Sequence, residues 1–182
     1  MEKIYKNFLH SYNSTLVSSF DQINSLYFSK LVSSLLKYKN SKSKIYIIGN
    51  GGSSAIASHI SVDLTKSCSI TSTNFNEPDL ITCFANDYGY EKWVENAIKF
   101  YVNDKDLVIL ISSSGESKNI INAAKYCKSK HIKLITFSGF KKNNSLFKLG
   151  NINFYVNSNS YNIVELTHLS WLMAAVDFIK ES

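Results

Sequence analysis

The chain has 182 residues, the size of a single domain, and 45% of them are apolar, 13% aromatic and only 19% charged, far more to bury than a disordered segment carries. Its net charge is +6, yet it contains no arginine, and its lysines are spread apart from two short groups, Lys37 to Lys44 and Lys141–Lys142. It therefore lacks the side chain suited to bidentate reading of bases, and no nucleic-acid partner is expected, whereas an anionic small molecule would gain from the positive field. The longest apolar stretches, Leu107 to Ile111 and Leu169 to Ile179, are well short of the roughly 18 residues a membrane span needs. Met1 to Asn13 interleaves Glu2, Lys3, Lys6 and His10 with apolar residues, unlike a signal peptide. The expectation is a cytoplasmic protein without a membrane partner. Cys68, Cys83 and Cys127 form no CxxC pair, which argues against a disulfide framework and a cysteine zinc site.

In chain order, Ile4 to Tyr38 places Phe8, Leu9, Tyr12, Leu16, Phe20, Ile23, Leu26, Leu31 and Leu35 at helical spacing, as one long helix or two shorter ones. Five runs then read as strands: Lys44 to Ile48, Leu80 to Phe84, Leu107 to Ile111, Lys133 to Phe137 and Ile152 to Val156. They are continuously apolar rather than alternating, as strands buried on both faces are. Helical segments separate them at Ser54 to Lys66, Glu91 to Tyr101 and Ser117 to Lys130, with a short turn at Ser145 to Leu149 and a final helix over Val164 to Ile179. Strands alternating with helices predict a parallel sheet with right-handed crossovers. The expected organisation is one domain, a helical segment at 1–40 followed by an α/β core at 41–182.

There are only 7 glycines, and most follow the expected strands: Gly49, Gly51 and Gly52 the first, Gly89 the second, Gly115 the third and Gly139 the fourth. In an open parallel sheet the loops at the carboxyl ends of the strands line the ligand crevice. The first loop, Gly49-Asn50-Gly51-Gly52-Ser53-Ser54, runs into a helix start whose free amides suit an anion, though it matches neither the dinucleotide fingerprint nor the phosphate-binding loop with its lysine. The third, Ser112-Ser113-Ser114-Gly115-Glu116-Ser117, sets four hydroxyls beside another helix start. Hydroxyls and amides together can bind a phosphate without arginine. Ser117 alone could be a simple helix cap. Glu116 is awkward beside a dianion, so its side chain is expected to turn to water or to a neighbouring donor.

Asn50-Gly51-Gly52-Ser53, His59, Asp63-Leu64-Thr65, Ala85-Asn86-Asp87-Tyr88-Gly89-Tyr90 and Ser112 to Ser117 together resemble the sugar isomerase (SIS) domain, specifically the phosphoheptose isomerases. The resemblance implies a three-layer α/β/α sandwich, a five-stranded parallel sheet in the flavodoxin-like order 2-1-3-4-5, and a homotetramer with sites shared between subunits. It implies conversion of sedoheptulose 7-phosphate to D-glycero-D-manno-heptose 7-phosphate, towards bacterial surface polysaccharide such as lipopolysaccharide or capsule. The phosphate loop then falls on Ser112, Ser113, Ser114 and Ser117, and the sugar contacts on Asn50, Gly51, Gly52, Ser53, Asn86 and Asp87.

The family's helical histidine and acid fall on His59 and Asp63, with Asp in place of the usual Glu. As an i, i+4 pair they could supply two ligands to a zinc ion, further ligands coming from Glu165 or His168 or from another subunit. On the terminal helix the family's Gln falls on Val164 and its distal His on Leu172, neither of which binds metal or moves a proton, while the adjacent Glu is kept as Glu165. Val164, His168 and Leu172 lie four residues apart on one helix face. The expected acid/base candidates are accordingly Asp63, Glu165 and His168. These departures keep open a second implication, a non-catalytic sugar-phosphate binder or protein-binding adaptor of the replication-initiator-binding kind.

Overall fold

The computed structural model describes residues 1–182. Five strands, β1 (Ile45–Gly49), β2 (Ser72–Thr73), β3 (Leu107–Ser112), β4 (Lys133–Ser138) and β5 (Ile152–Tyr155), pair in parallel in the order β2-β1-β3-β4-β5. The apolar runs are continuous because each strand feeds two cores. Ile45 and Ile47 of β1, with Ile109 and Phe137, pack under α2 (Ser25–Leu36), α3 (Gly52–Cys68) and α7 (Tyr161–Glu181). Tyr46 and Ile48, with Val108 and Leu110, face α5 (Trp93–Tyr101) and α6 (Lys118–Ser129) on the other side. The result is the α/β/α sandwich, with the order implied by the resemblance.

Ahead of the sheet, α1 (Glu2–Phe20) and α2 are two helices, broken at Asp21–Asn24, where the Asn24 side chain accepts the Tyr27 N–H as an N-cap. The Trp171 indole donates to the Phe20 carbonyl and ties the end of α1 to α7. Otherwise α1 buries only Ser19 and leaves Ile4 (69% exposed) and Phe8 (65%) in the open.

One expected strand is a helix. Leu80 to Phe84 lies within α4 (Pro78–Tyr88), started by Pro78 in its first turn and stopped by Gly89, whose φ of +80° suits glycine. Leu80, Ile81, Phe84 and Ala85, at helical spacing, pack against the second core. A short apolar run does not by itself separate strand from helix. The true second strand has two residues, Ser72 and Thr73, neither apolar, and Thr65 Oγ1 of α3 accepts the Ser72 N–H. Gly89 therefore ends a helix and is not a strand-end loop of the crevice.

Candidate active site

β1 and β3 are neighbours, with Gly49 opposite Ile111, so the loops that follow them open side by side. Each leads into a helix start without a side-chain cap: Gly51, at φ +54°, precedes α3, and Ser117 precedes α6. Uncapped first turns leave backbone N–H groups free, with positive helix ends behind them. The crevice between the loops is thus a ready place for an anion.

The serines of the third loop divide by their partners. Ser112 Oγ lies 3.1 Å from Ser117 Oγ, and Ser114 Oγ accepts the Glu116 N–H at 3.2 Å. Ser113 is buried, and it donates to Glu165 Oε1 on α7 at 3.2 Å while standing 3.5 Å from the buried Ser53 Oγ. Glu116 turns away, its two oxygens accepting the Ser145 N–H and hydroxyl, each at 2.8 Å. That removes its charge from the anion side, as the sequence required. The loop bends at Gly115, φ +69°, where a β-carbon would also strike the Asn144 side chain at Oδ1.

Asn50 is held in a two-way bond with Asn119: each amide donates to the other's oxygen at 2.9 Å. Tyr90 adds a donor to Asn50 Oδ1 at 3.4 Å. Asn119 and Asn144 carry no sequence signal, because nothing local marks an asparagine as a loop anchor, and Tyr90 stands in the Ala85 to Tyr90 motif without an assigned contact. Asn86 and Asp87 sit exposed near the end of α4, Asn86 Nδ2 donating to Asp87 Oδ1 at 3.0 Å, and neither side chain hydrogen-bonds to the two loops.

A groove of about 480 Å³ runs from the first loop between α3, α7 and α1, lined by Gly52, Ala55, His59, Asn162, Glu165 and Tyr12 among others. Glu165 lies across its head, so close to the start of α3 that a β-carbon on Gly52 would collide with Oε2. His59 is half exposed there, and its Nε2 pairs with Asp63 Oδ2 at 3.0 Å. This pair supplies two donors, and no third His, Cys, Asp or Glu groups with them. One chain therefore falls short of the three or four protein ligands zinc takes, and neither Glu165 nor His168 joins the pair.

His168 does not reach the crevice. Its ring is fully buried between Phe137 and Trp171, with Nε2–H donating to the Ser138 carbonyl at 3.1 Å and Nδ1 without a partner. Burial pushes it down to about 4, so it is neutral. Val164, His168 and Leu172 do share a face, but it is the core face, and all three are buried. Glu165, one residue further round, points to the loops instead. The expectation of His168 as an acid/base group is thereby corrected.

A family model for the SIS domain matches residues 8–139. Fold and crevice together thus define a SIS-domain protein. Phosphoheptose isomerase from Aliarcobacter butzleri is 31% identical over 147 residues, 78% of this chain and 76% of the relative. That of Thermodesulfovibrio yellowstonii is 32% identical over 142 residues, 75% of this chain and 70% of the relative. The solved phosphoheptose isomerase from Neisseria gonorrhoeae superposes with a TM-score of 0.86 at 21% identity, over 100% of this chain and 98% of that one. The chain belongs to the phosphoheptose isomerase family.

Proposed function

We propose that this chain interconverts sedoheptulose 7-phosphate and D-glycero-D-manno-heptose 7-phosphate, feeding bacterial surface heptose. The observation that carries it is the pairing of the serine loop with the first glycine loop at two uncapped helix starts on adjacent strands. The phosphate takes hydrogen bonds from Ser112, Ser114 and Ser117 and from the first amides of α6. The sugar lies across Asn50, Gly51 and Gly52 towards Glu165. Hydrogen bonds to a charged acceptor contribute about 1.5–3 kcal/mol each, so three hydroxyls suffice to anchor a dianion without arginine.

An aldose–ketose isomerase moves one carbon-bound hydrogen between C1 and C2, which calls for a base near those carbons and for donors that steady the enediolate oxygen. The amides at the start of α3 are such donors. Purified protein incubated with sedoheptulose 7-phosphate and followed by NMR is expected to yield heptose 7-phosphate. Binding of the ketose without conversion would overturn the assignment in favour of a sugar-phosphate binder.

We further infer that the working unit is a homotetramer in the cytoplasm, with α4, the helix that carries Asn86 and Asp87, at a contact between copies. Ile4, Tyr5, Phe8 and Leu9 form an exposed apolar stretch on α1, and α4, which carries Asn86 and Asp87, has no buried residue. Such surfaces ask for a partner, and a second copy supplies the same apolar stretch in return. The three cysteines are free thiols, as a reducing compartment keeps them. Light scattering is expected to give four times the 20.6 kDa chain mass.

A further inference from the structure

Resting on the isomerase reading above, we propose that Glu165 is the catalytic residue that carries the proton between the sugar carbons, and that Ser113 and Gly52 position its carboxylate. Other carboxylates near the crevice are committed or remote. Glu116 is bound to Ser145 at both oxygens. Asp87 sits on exposed α4 with its oxygens on Asn86 and Cys83. Asp63 is paired to His59 and stands eleven residues beyond Gly52, about 16 Å along α3 at 1.5 Å per residue. Glu165 alone lies against both loops at once.

Its seat is built. Ser113 Oγ donates to Oε1, so this hydroxyl serves the carboxylate while Ser112, Ser114 and Ser117 are left for phosphate. Buried Ser53, 3.5 Å from Ser113, backs that hydroxyl from behind. Oε2 has no hydrogen-bond partner in the chain and lies over the start of α3, in space that exists because residue 52 has no side chain. The backbone below is fixed: the Val164 methyls close over Gly139, whose N–H bonds the Ser113 carbonyl at 2.9 Å. A base held this rigidly needs little reorganisation in the transition state.

In the ketose-to-aldose direction, Glu165 removes a hydrogen of C1 as a proton. The C–H electron pair becomes the C1=C2 bond and the carbonyl pair moves onto O2. The O1 hydrogen passes to O2 through water, the O1 pair re-forms a carbonyl, and C2 takes the proton back from Glu165. C1 is oxidised and C2 reduced by the same shift, and no co-reactant is consumed.

The test is E165Q, which keeps the shape and the Ser113 bond but cannot take a proton. We expect kcat to fall by about 100-fold or more, with the calorimetric dissociation constant for sedoheptulose 7-phosphate changed less than about threefold, because a group used in proton transfer adds little to ground-state affinity. Incorporation of solvent deuterium at C1 of recovered ketose should vanish with it. S113A should lower kcat about tenfold with KM little changed, and S113T, which keeps the hydroxyl, should restore most of the rate. S112A should instead act mainly on KM. Wild-type turnover or exchange in E165Q overturns the proposal, as does loss of affinity matching the loss of rate. Equal effects of S113A and S113T overturn the positioning role. A wild type that converts no sedoheptulose 7-phosphate fails earlier, at the isomerase reading itself, and takes this proposal with it.

Discussion

His168 gives the sharpest stability prediction, because burial lowers it from 6.5 to about 4 and the Ser138 carbonyl only partly offsets that. A histidine with a depressed folded value binds its proton more readily unfolded, so stability is fully present above pH 6.5 and is lost as pH falls towards 4. At pH 5 the unfolded chain is mostly protonated there and the folded chain is not, which costs about 2 kcal/mol, approaching about 3 kcal/mol below pH 4. His168→Leu removes this loss while keeping an apolar body of similar size. It also deletes the bond to Ser138, whose carbonyl still accepts the Val156 N–H at 2.9 Å, so the cost at pH 8 is about 1 kcal/mol. Urea unfolding from pH 8 to pH 5 should therefore show the two curves crossing: wild type ahead by about 1 kcal/mol at pH 8 and behind by a similar amount at pH 5. Distant carboxylates titrate alike in both proteins and cancel in the difference. Parallel curves across that range would refute a buried, neutral His168.

Gly52→Ala should leave stability within about 1 kcal/mol, since alanine suits a helix start, yet lower turnover at least tenfold, because the new β-carbon displaces the Glu165 carboxylate. Calorimetry on Ser112→Ala with Ser114→Ala should show sugar-phosphate affinity weakened several-fold or more, and an unchanged constant would remove that loop from phosphate binding. Elemental analysis of protein purified without chelator should find well under one zinc per chain; near-stoichiometric zinc lost in His59→Ala would show that a second copy completes the donor set. Gly139→Ala forces a β-carbon within 2.7 Å and 2.8 Å of the Val164 methyls and should cost about 1–3 kcal/mol in denaturant unfolding. Adding Val164→Ala should recover part of that cost, and strict additivity of the two would contradict the contact.

Most of the sheet is legible because β1 and β3 are buried on both faces and carry unbroken apolar runs, and β4 departs from this only at exposed Lys133 and buried Thr136 and Ser138. β2 left no such trace: two polar residues at the sheet edge need only backbone pairing with Ile45 and Tyr46. The run at Leu80 reads equally as strand or helix, because Pro78 and Gly89, which bracket a helix, flank it at distances a strand would also tolerate. In the site, the serine and glycine loops could be read from composition alone, since hydroxyls and small residues at strand ends are a local signal. The contact between Gly52 and Glu165 could not, because it joins the first loop to the terminal helix and depends on how that helix crosses the sheet. For the same reason the spacing puts Val164, His168 and Leu172 on one face of α7 without telling that this face turns into the core. Periodicity tells which residues travel together, and only packing tells what they meet.

The first turn of α7 shows how that packing becomes chemistry. Two consecutive side chains there close over two glycines at the ends of different strands: Val164 over Gly139, after β4, and Glu165 over Gly52, after β1. The valine face is apolar and enters the core, so it fixes the height and rotation of the helix through close contact. Rotation by one residue then brings the carboxylate to the crevice, where Ser113 bonds one oxygen and leaves the other free. Positions 164 and 172, where the resemblance would set a glutamine and a histidine, are core positions in this chain, filled by residues that pack. Val164 and Leu172 therefore add apolar contact beneath the site, and what α7 presents to the crevice is the carboxylate of Glu165, with Asn162 lining the same groove.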